Sequence, residues 1–170
     1  MSREVLACDN CNKSVKEDDE YCPHCGSIFV GDVYCHNHQD IEAKGVCVVC
    51  SYAFCESCGL SINDIFICDE HNNYEIYGAM ARVYGGSDIL DVEYVKNALE
   101  QDGLHPFIYS RKASPISLGG DDYTLFRASG ESEGRLINEV KVMIPLQELL
   151  LAEEIISALK NGNDEEEKPQ

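Results

Sequence analysis

Ten cysteines at paired spacings constrain what this chain can fold into more than anything else in its sequence. Nine lie before residue 59 in C-x-x-C or C-x-x-H pairs, and the tenth is Cys68, so the amino-terminal part of the 170 residues holds them all. Cysteines in such numbers are either crosslinked as disulfides or used on metal. Disulfides need an oxidising compartment, and the opening Met1-Ser-Arg-Glu-Val-Leu-Ala-Cys8-Asp lacks the apolar core of an export signal. Nor does any stretch reach the roughly 18 to 20 apolar residues that span a bilayer, since Leu149-Leu-Leu-Ala152 runs straight into Glu153-Glu154. The expectation is a cytoplasmic protein, without a membrane segment, whose reduced thiols bind metal.

The pairs fall into two groups. Cys8-Asp-Asn-Cys11 is followed after ten residues by Cys22-Pro-His-Cys25-Gly26. Two C-x-x-C turns present thiolates on tight knuckles, and two knuckles close the tetrahedral four-sulfur site that zinc favours. Iron sites of the rubredoxin type use similar knuckles, so ligation is better specified than the metal. His24 sits between two ligands and reads as a spectator. The second group runs Cys35-x-x-His38, eight residues, Cys47-x-x-Cys50, four residues, Cys55-x-x-Cys58, nine residues, Cys68-x-x-His71. Eight donors make two complete sites. The short Ser51-Tyr-Ala-Phe54 link suits a cross-braced arrangement in which alternate pairs share an ion: Cys35, His38, Cys55 and Cys58 on one, Cys47, Cys50, Cys68 and His71 on the other. Sequential pairing in two separate fingers is the alternative, and His36 could stand in for His38.

The three ions expected are Zn²⁺, and ten thiolates with three such ions take the formal charge from −18 to about −22. Thirteen Lys and Arg against 31 Asp and Glu leave little to build a phosphate-tracking face, so nucleic acid is disfavoured and protein partners fit better. Two cysteine-rich zones of about 30 and about 40 residues cannot usually be held by apolar burial alone, and metal binding is expected to supply the folding energy instead. Twelve donors for three ions leave no open coordination position, and the chain has no Gly-x-Ser-x-Gly, His-Glu-x-x-His or phosphate-loop motif. No enzyme activity is expected.

From residue 79 the pattern is mixed α and β. Ala81-Arg-Val-Tyr84 reads as a strand, Ser87 as a helix cap after the Gly85-Gly86 turn, and residues 88–101 as a helix with Val92, Val95 and Leu99 on one face, stopped at Gly103. Residues 104–109, 123–127 and 140–144 read as strands. Pro145 opens a second helix bearing Leu149, Ala152, Ile156 and Leu159, ended by Gly162. The order is β-α-β-β-β-α, and the acidic run from residue 162 reads as a disordered tail.

On these residues, the Tyr21-Cys-Pro-x-Cys-Gly26 knuckle resembles the short zinc-ribbon family, and the Cys-x-x-His opening with its central Cys-x-x-Cys-x4-Cys-x-x-Cys resembles the B-box zinc finger. The long interval between Cys58 and Cys68 and the Cys-x-x-His close depart from the latter. Val83-Tyr-Gly-Gly-Ser-Asp88, the helix after it and Pro106-Phe-Ile-Tyr109 resemble a prokaryotic signal-transducing protein family, which implies a ferredoxin-like, PII-like domain with an enlarged loop or hairpin at 110–138. The fold class expected is therefore α+β and multi-module: a zinc ribbon at 1–31, a B-box-like double finger at 32–74, an α+β domain at 79–161 and the tail at 162–170. The function this implies is a non-enzymatic adaptor or signal-transducing protein acting through protein–protein contacts. Transcription-associated zinc proteins and thiol-based redox or metal sensors are the alternatives.

Overall fold

The computed structural model describes residues 6–110, 131–132, 135–136 and 139–166. It divides into two compact units, Met1–Ala81 with Leu146–Leu150, and Arg82–Pro145 with Leu151–Gln170.

The first unit is built from short antiparallel hairpins. Strand β1 (Leu6–Ala7) pairs with β2 (Ser14–Val15), β3 (Gly45–Val46) with β4 (Ala53–Phe54), and β5 (Gly59–Ile62) with β6 (Ile65–Cys68). Strands this short hold little alone. What fixes them is the turn chemistry of the Cys pairs. At Cys8, Cys22 and Cys47 the same knuckle recurs: the cysteine carbonyl accepts from the N–H four residues on, at 2.8 Å in all three. The donating residue, Asn12, Gly26 or Ser51, has a left-handed φ of +55°, +79° or +61°. Asn and Gly tolerate that conformation best. The pairs at Cys35, Cys55 and Cys68 instead close through an N–H to C=O bond three residues apart, at 3.2, 3.0 and 3.0 Å. The interval between Cys58 and Cys68 is filled by the β5–β6 hairpin, whose Asn63-Asp64 turn has both φ values positive, +50° and +64°, as a primed two-residue turn requires.

One aromatic ring ties this unit together. Phe66 is 5% exposed, and side chains are excluded around it at three glycines. A Cβ on Gly45 would lie 2.5 Å from Phe66 Cγ, one on Gly59 2.8 Å from Cζ, and one on Gly26 3.1 Å from Phe66 Cβ. Backbone bonds run the same way: Phe66 N donates to Cys25 O at 2.9 Å, and Val46 N to Gly26 O at 2.8 Å. The two cysteine-rich zones are thus one packed body. Val46, Val48, Val49, Phe54, Ile65 and Ile67 are also buried in it.

Strand β7 (Ile76–Tyr77) turns through Gly78 into β8 (Met80–Gly86). Then follow α1 (Ile89–Gln101), β9 (Phe107–Ser110), a hairpin of β10 (Glu131–Ser132) and β11 (Arg135–Leu136), β12 (Val140–Pro145), a 3-10 turn (Leu146–Glu148) and α2 (Leu149–Glu166). The four-stranded sheet has the order β7-β8-β12-β9, with β12 antiparallel to β9. Val92, Val95 and Leu99 are buried on α1, and Val140, Val142 and Ile144 on β12, one face of each element.

Several expectations need correction. The cap of α1 is Asp88, not Ser87: its backbone is extended and its Oδ1 accepts from Leu90 N at 2.9 Å. A carboxylate there also meets the positive end of the helix dipole. The strand expected from 104 begins at Phe107, because Leu104 N bonds back to Leu99 O in closing the helix and Pro106 has no N–H for a ladder. Pro145 ends β12 and does not open α2, which starts at Leu149 after the 3-10 turn. Helix α2 continues through Gly162 to Glu166, since one glycine lowers helix propensity without removing a hydrogen bond. The tail expected from 162 therefore begins with helix, and 167–170 lie outside the described residues, as does the strand expected at 123–127.

Candidate metal centres

The twelve donors predicted from spacing gather into three groups of four. Cys8, Cys11, Cys22 and Cys25 form the first. Cys35 and His38 meet Cys55 and Cys58 in the second, and Cys47 and Cys50 meet Cys68 and His71 in the third, so alternate pairs of the long run come together and adjacent pairs do not. Within each group the donor atoms lie within 4.8 Å of one another.

The spacings match a central ion. Four sulfurs about 2.3 Å from a tetrahedral metal are about 3.8 Å apart, and a sulfur and an imidazole nitrogen about 3.5 Å. In the first group Cys8 and Cys25 Sγ are 3.7 Å apart and Cys11 and Cys22 Sγ 3.6 Å. In the second, His38 Nδ1 is 3.7, 3.6 and 3.3 Å from the sulfurs of Cys35, Cys55 and Cys58. In the third, His71 Nδ1 is 3.6 Å from Cys47 and 3.1 Å from Cys68, and Cys50 and Cys68 are 4.0 Å apart. A disulfide would need about 2.05 Å, and all ten cysteines are free.

Electrostatics points the same way. Burial, reinforced by Cys25 and Cys11, pushes the Cys22 thiol up to about 12. Burial does the same to Cys50, with the neighbouring Cys47 and Cys68 adding to it. Two thiols go the other way. Burial acts against ionising Cys25, but the hydroxyl and backbone N–H of Ser27 and the amide of Asn10 outweigh it and bring it down to about 6. Cys35 also falls to about 6, against burial, through the backbone of Cys55 and the His38 ring. Local donors therefore favour a thiolate at Cys25 and at Cys35, while crowding opposes ionising Cys22 and Cys50; a cation removes that opposition. The residues present fit a metal ion in each group, with four-sulfur and three-sulfur, one-nitrogen sets of the kind zinc prefers.

Surrounding contacts orient the donors. Cys25 Sγ is 3.2 Å from Ser27 Oγ, and Asn37 Nδ2 donates to Cys58 Sγ at 3.6 Å. His36 is in no group: its ring stacks on Tyr52 at 4.5 Å and meets Phe54 edge-on at 6.0 Å. His24 is in none either. Most donors are buried; Cys11, Cys50 and His71 are partly exposed and His38 is exposed. Sequence reasoning missed Phe66, Ser27 and Asn37. The glycines directly after Cys25 and Cys58 carried the one available signal, because a glycine fixed beside a ligand implies a close neighbour.

Among the described residues no helix is long and apolar enough to cross a membrane. No protein-family model, curated protein or solved structure shows significant similarity to the chain.

Proposed function

We propose that this is a zinc-binding, non-enzymatic adaptor or signal-transducing protein of the cytoplasm, in which three Zn²⁺ ions hold recognition surfaces for other proteins. One observation carries the reading: each group supplies four donors, so an ion at its centre has no position left for a water or substrate. Zinc would supply folding free energy there and no chemistry. The twelve residues hold it as thiolates and neutral imidazoles, with His38 and His71 offering Nδ1. The acidic surface favours protein partners over nucleic acid. The β-α-β run closed by β12 and α2 supports a ferredoxin-like second module related to the signal-transducing family.

The test is metal analysis and native mass spectrometry of protein purified without added metal, before and after chelation. Three zinc ions per chain, lost on chelation together with the near-ultraviolet signal of Phe66 and its neighbours, are expected. Two ions or fewer, or iron in place of zinc, would overturn the assignment. Crosslinking capture from native extract should then place partner contacts on the metal-bearing unit or the sheet.

A further inference from the structure

The second unit contains an open cleft of about 140 Å³ that takes no part in the metal chemistry. Its walls come from three elements of that unit. Asp91, Tyr94 and Val95 line it from α1, and Ile156, Leu159 and Lys160 from α2, each set at the i, i+3, i+4 spacing that shares one helix face. Tyr84 enters from β8. Its ring stands beside the start of α1: a Cβ on Gly86 would be 3.7 Å from Tyr84 Cε1 and 3.6 Å from Val92 Cγ2.

The lining has two chemical parts. Val95 and Ile156 are buried and Leu159 is half-buried, which makes an apolar floor, with the tyrosine rings beside it. Over that floor stand one carboxylate and one ammonium. Asp91 and Lys160 line the same cleft but form no ion pair with each other, and neither has a polar side-chain partner among the described residues. A simple anion at Lys160 would be repelled by Asp91, and a simple cation at Asp91 by Lys160. A neutral apolar guest would use neither charge. A small molecule bearing both charges and an apolar body uses every group in the cleft, and its zero net charge spares it the repulsion that an anion meets at this acidic surface.

We propose that the cleft binds a free α-amino acid with an aromatic side chain, its ammonium at Asp91, its carboxylate at Lys160 and its ring against Tyr84 and Tyr94 over Val95 and Ile156. A cavity of that size takes one benzene-sized ring, which leaves the ammonium and carboxylate at the open side, and aromatic pairing beside an apolar floor is a usual small-molecule lining. None of the seven residues belongs to a metal group, so the proposal stands apart from the zinc reading.

The experiment titrates L-phenylalanine into the zinc-loaded full chain, followed by calorimetry and by nuclear magnetic resonance of the tyrosine and isoleucine side chains. Saturable shifts at Tyr84, Tyr94 and Ile156 are expected. Asp91→Asn and Lys160→Gln, both at exposed positions, should each weaken binding about tenfold or more, the loss typical of a hydrogen bond to a charged group. Phenethylamine and 3-phenylpropionate, which each lack one charge, should bind weaker by a similar factor. Absence of saturable shifts, or binding indifferent to both substitutions, would overturn the proposal. So would preference for a lysine-bearing peptide over the free amino acid, which would assign the cleft to a protein partner.

Discussion

Gly26 combines two demands at one position, and a substitution there separates them. Its φ of +79° is a conformation that side chains adopt at a cost, and a Cβ would also lie 2.0 Å from Val46 O. Gly78 makes the control, with φ +59° and nothing within 4 Å of an added Cβ. Gly78→Ala should cost about 1 kcal/mol, the backbone term alone, while Gly26→Ala adds a backbone clash and should cost about 2 to 4 kcal/mol. Urea unfolding at saturating zinc measures both; equal losses would show that the contact at Val46 relaxes freely. At this scale the three groups of four were legible because a C-x-x-C or C-x-x-H pair is local: two residues of one turn suffice to bring two candidate donors to one point. The choice of His38 over His36 was legible for the same reason. Phe66 was not, since nothing within a few residues of Ile65-Phe66-Ile67 says that its ring meets glycines 40, 21 and 7 positions earlier; only the folded unit brings them together.

At the scale of elements, the start of α1 separates two adjacent candidates for one role. Asp88 Oδ1 accepts from Leu90 N, and Asp91 follows in the first turn. Asp88→Ala should lower stability by about 1 kcal/mol and Ser87→Ala by less than about 0.5 kcal/mol. Thermal or denaturant unfolding of the two variants decides it, and the reverse order would return the cap to Ser87. The sequence reading put the cap at Ser87; serine and aspartate both cap helices, and the backbone places the cap one residue further on, at Asp88. The apolar faces of α1 and α2 were readable because they repeat at the helical period. The end of β12 was not: Pro145 suits a first helical turn and a strand end alike, and Leu146–Glu148 resolves the ambiguity by inserting a 3-10 turn. The β5–β6 hairpin had a readable signal in Ile62-Asn-Asp-Ile65, alternating strands around a turn pair suited to positive φ, within an interval that spacing alone left blank.

For the molecule as a whole, the arrangement around Phe66 bears on how the cysteine-rich unit assembles. Gly26 directly follows Cys25 of the first group, Gly59 follows Cys58 of the second, and Gly45 lies two residues before Cys47 of the third. Each group thus places a glycine backbone against the same side chain, and Phe66 itself lies two residues before Cys68. If each group holds an ion, emptying one would free the chain on one side of the ring and weaken the packing that orients donors in the other two. With an ion in each group, metal binding and folding would then be one equilibrium in place of three. Zinc added to the reduced, metal-free chain below stoichiometry should yield mainly empty and three-metal species by native mass spectrometry, with one- and two-metal forms scarce. Phe66→Ala removes the shared contact at a cost of about 3 to 5 kcal/mol, and it leaves all twelve donors in the sequence. That variant should still take three ions at excess zinc but pass through abundant intermediates on the way. Stepwise filling of the unsubstituted chain, with one- and two-metal forms as plentiful as independent sites predict, would show that the groups fold separately despite their common neighbour.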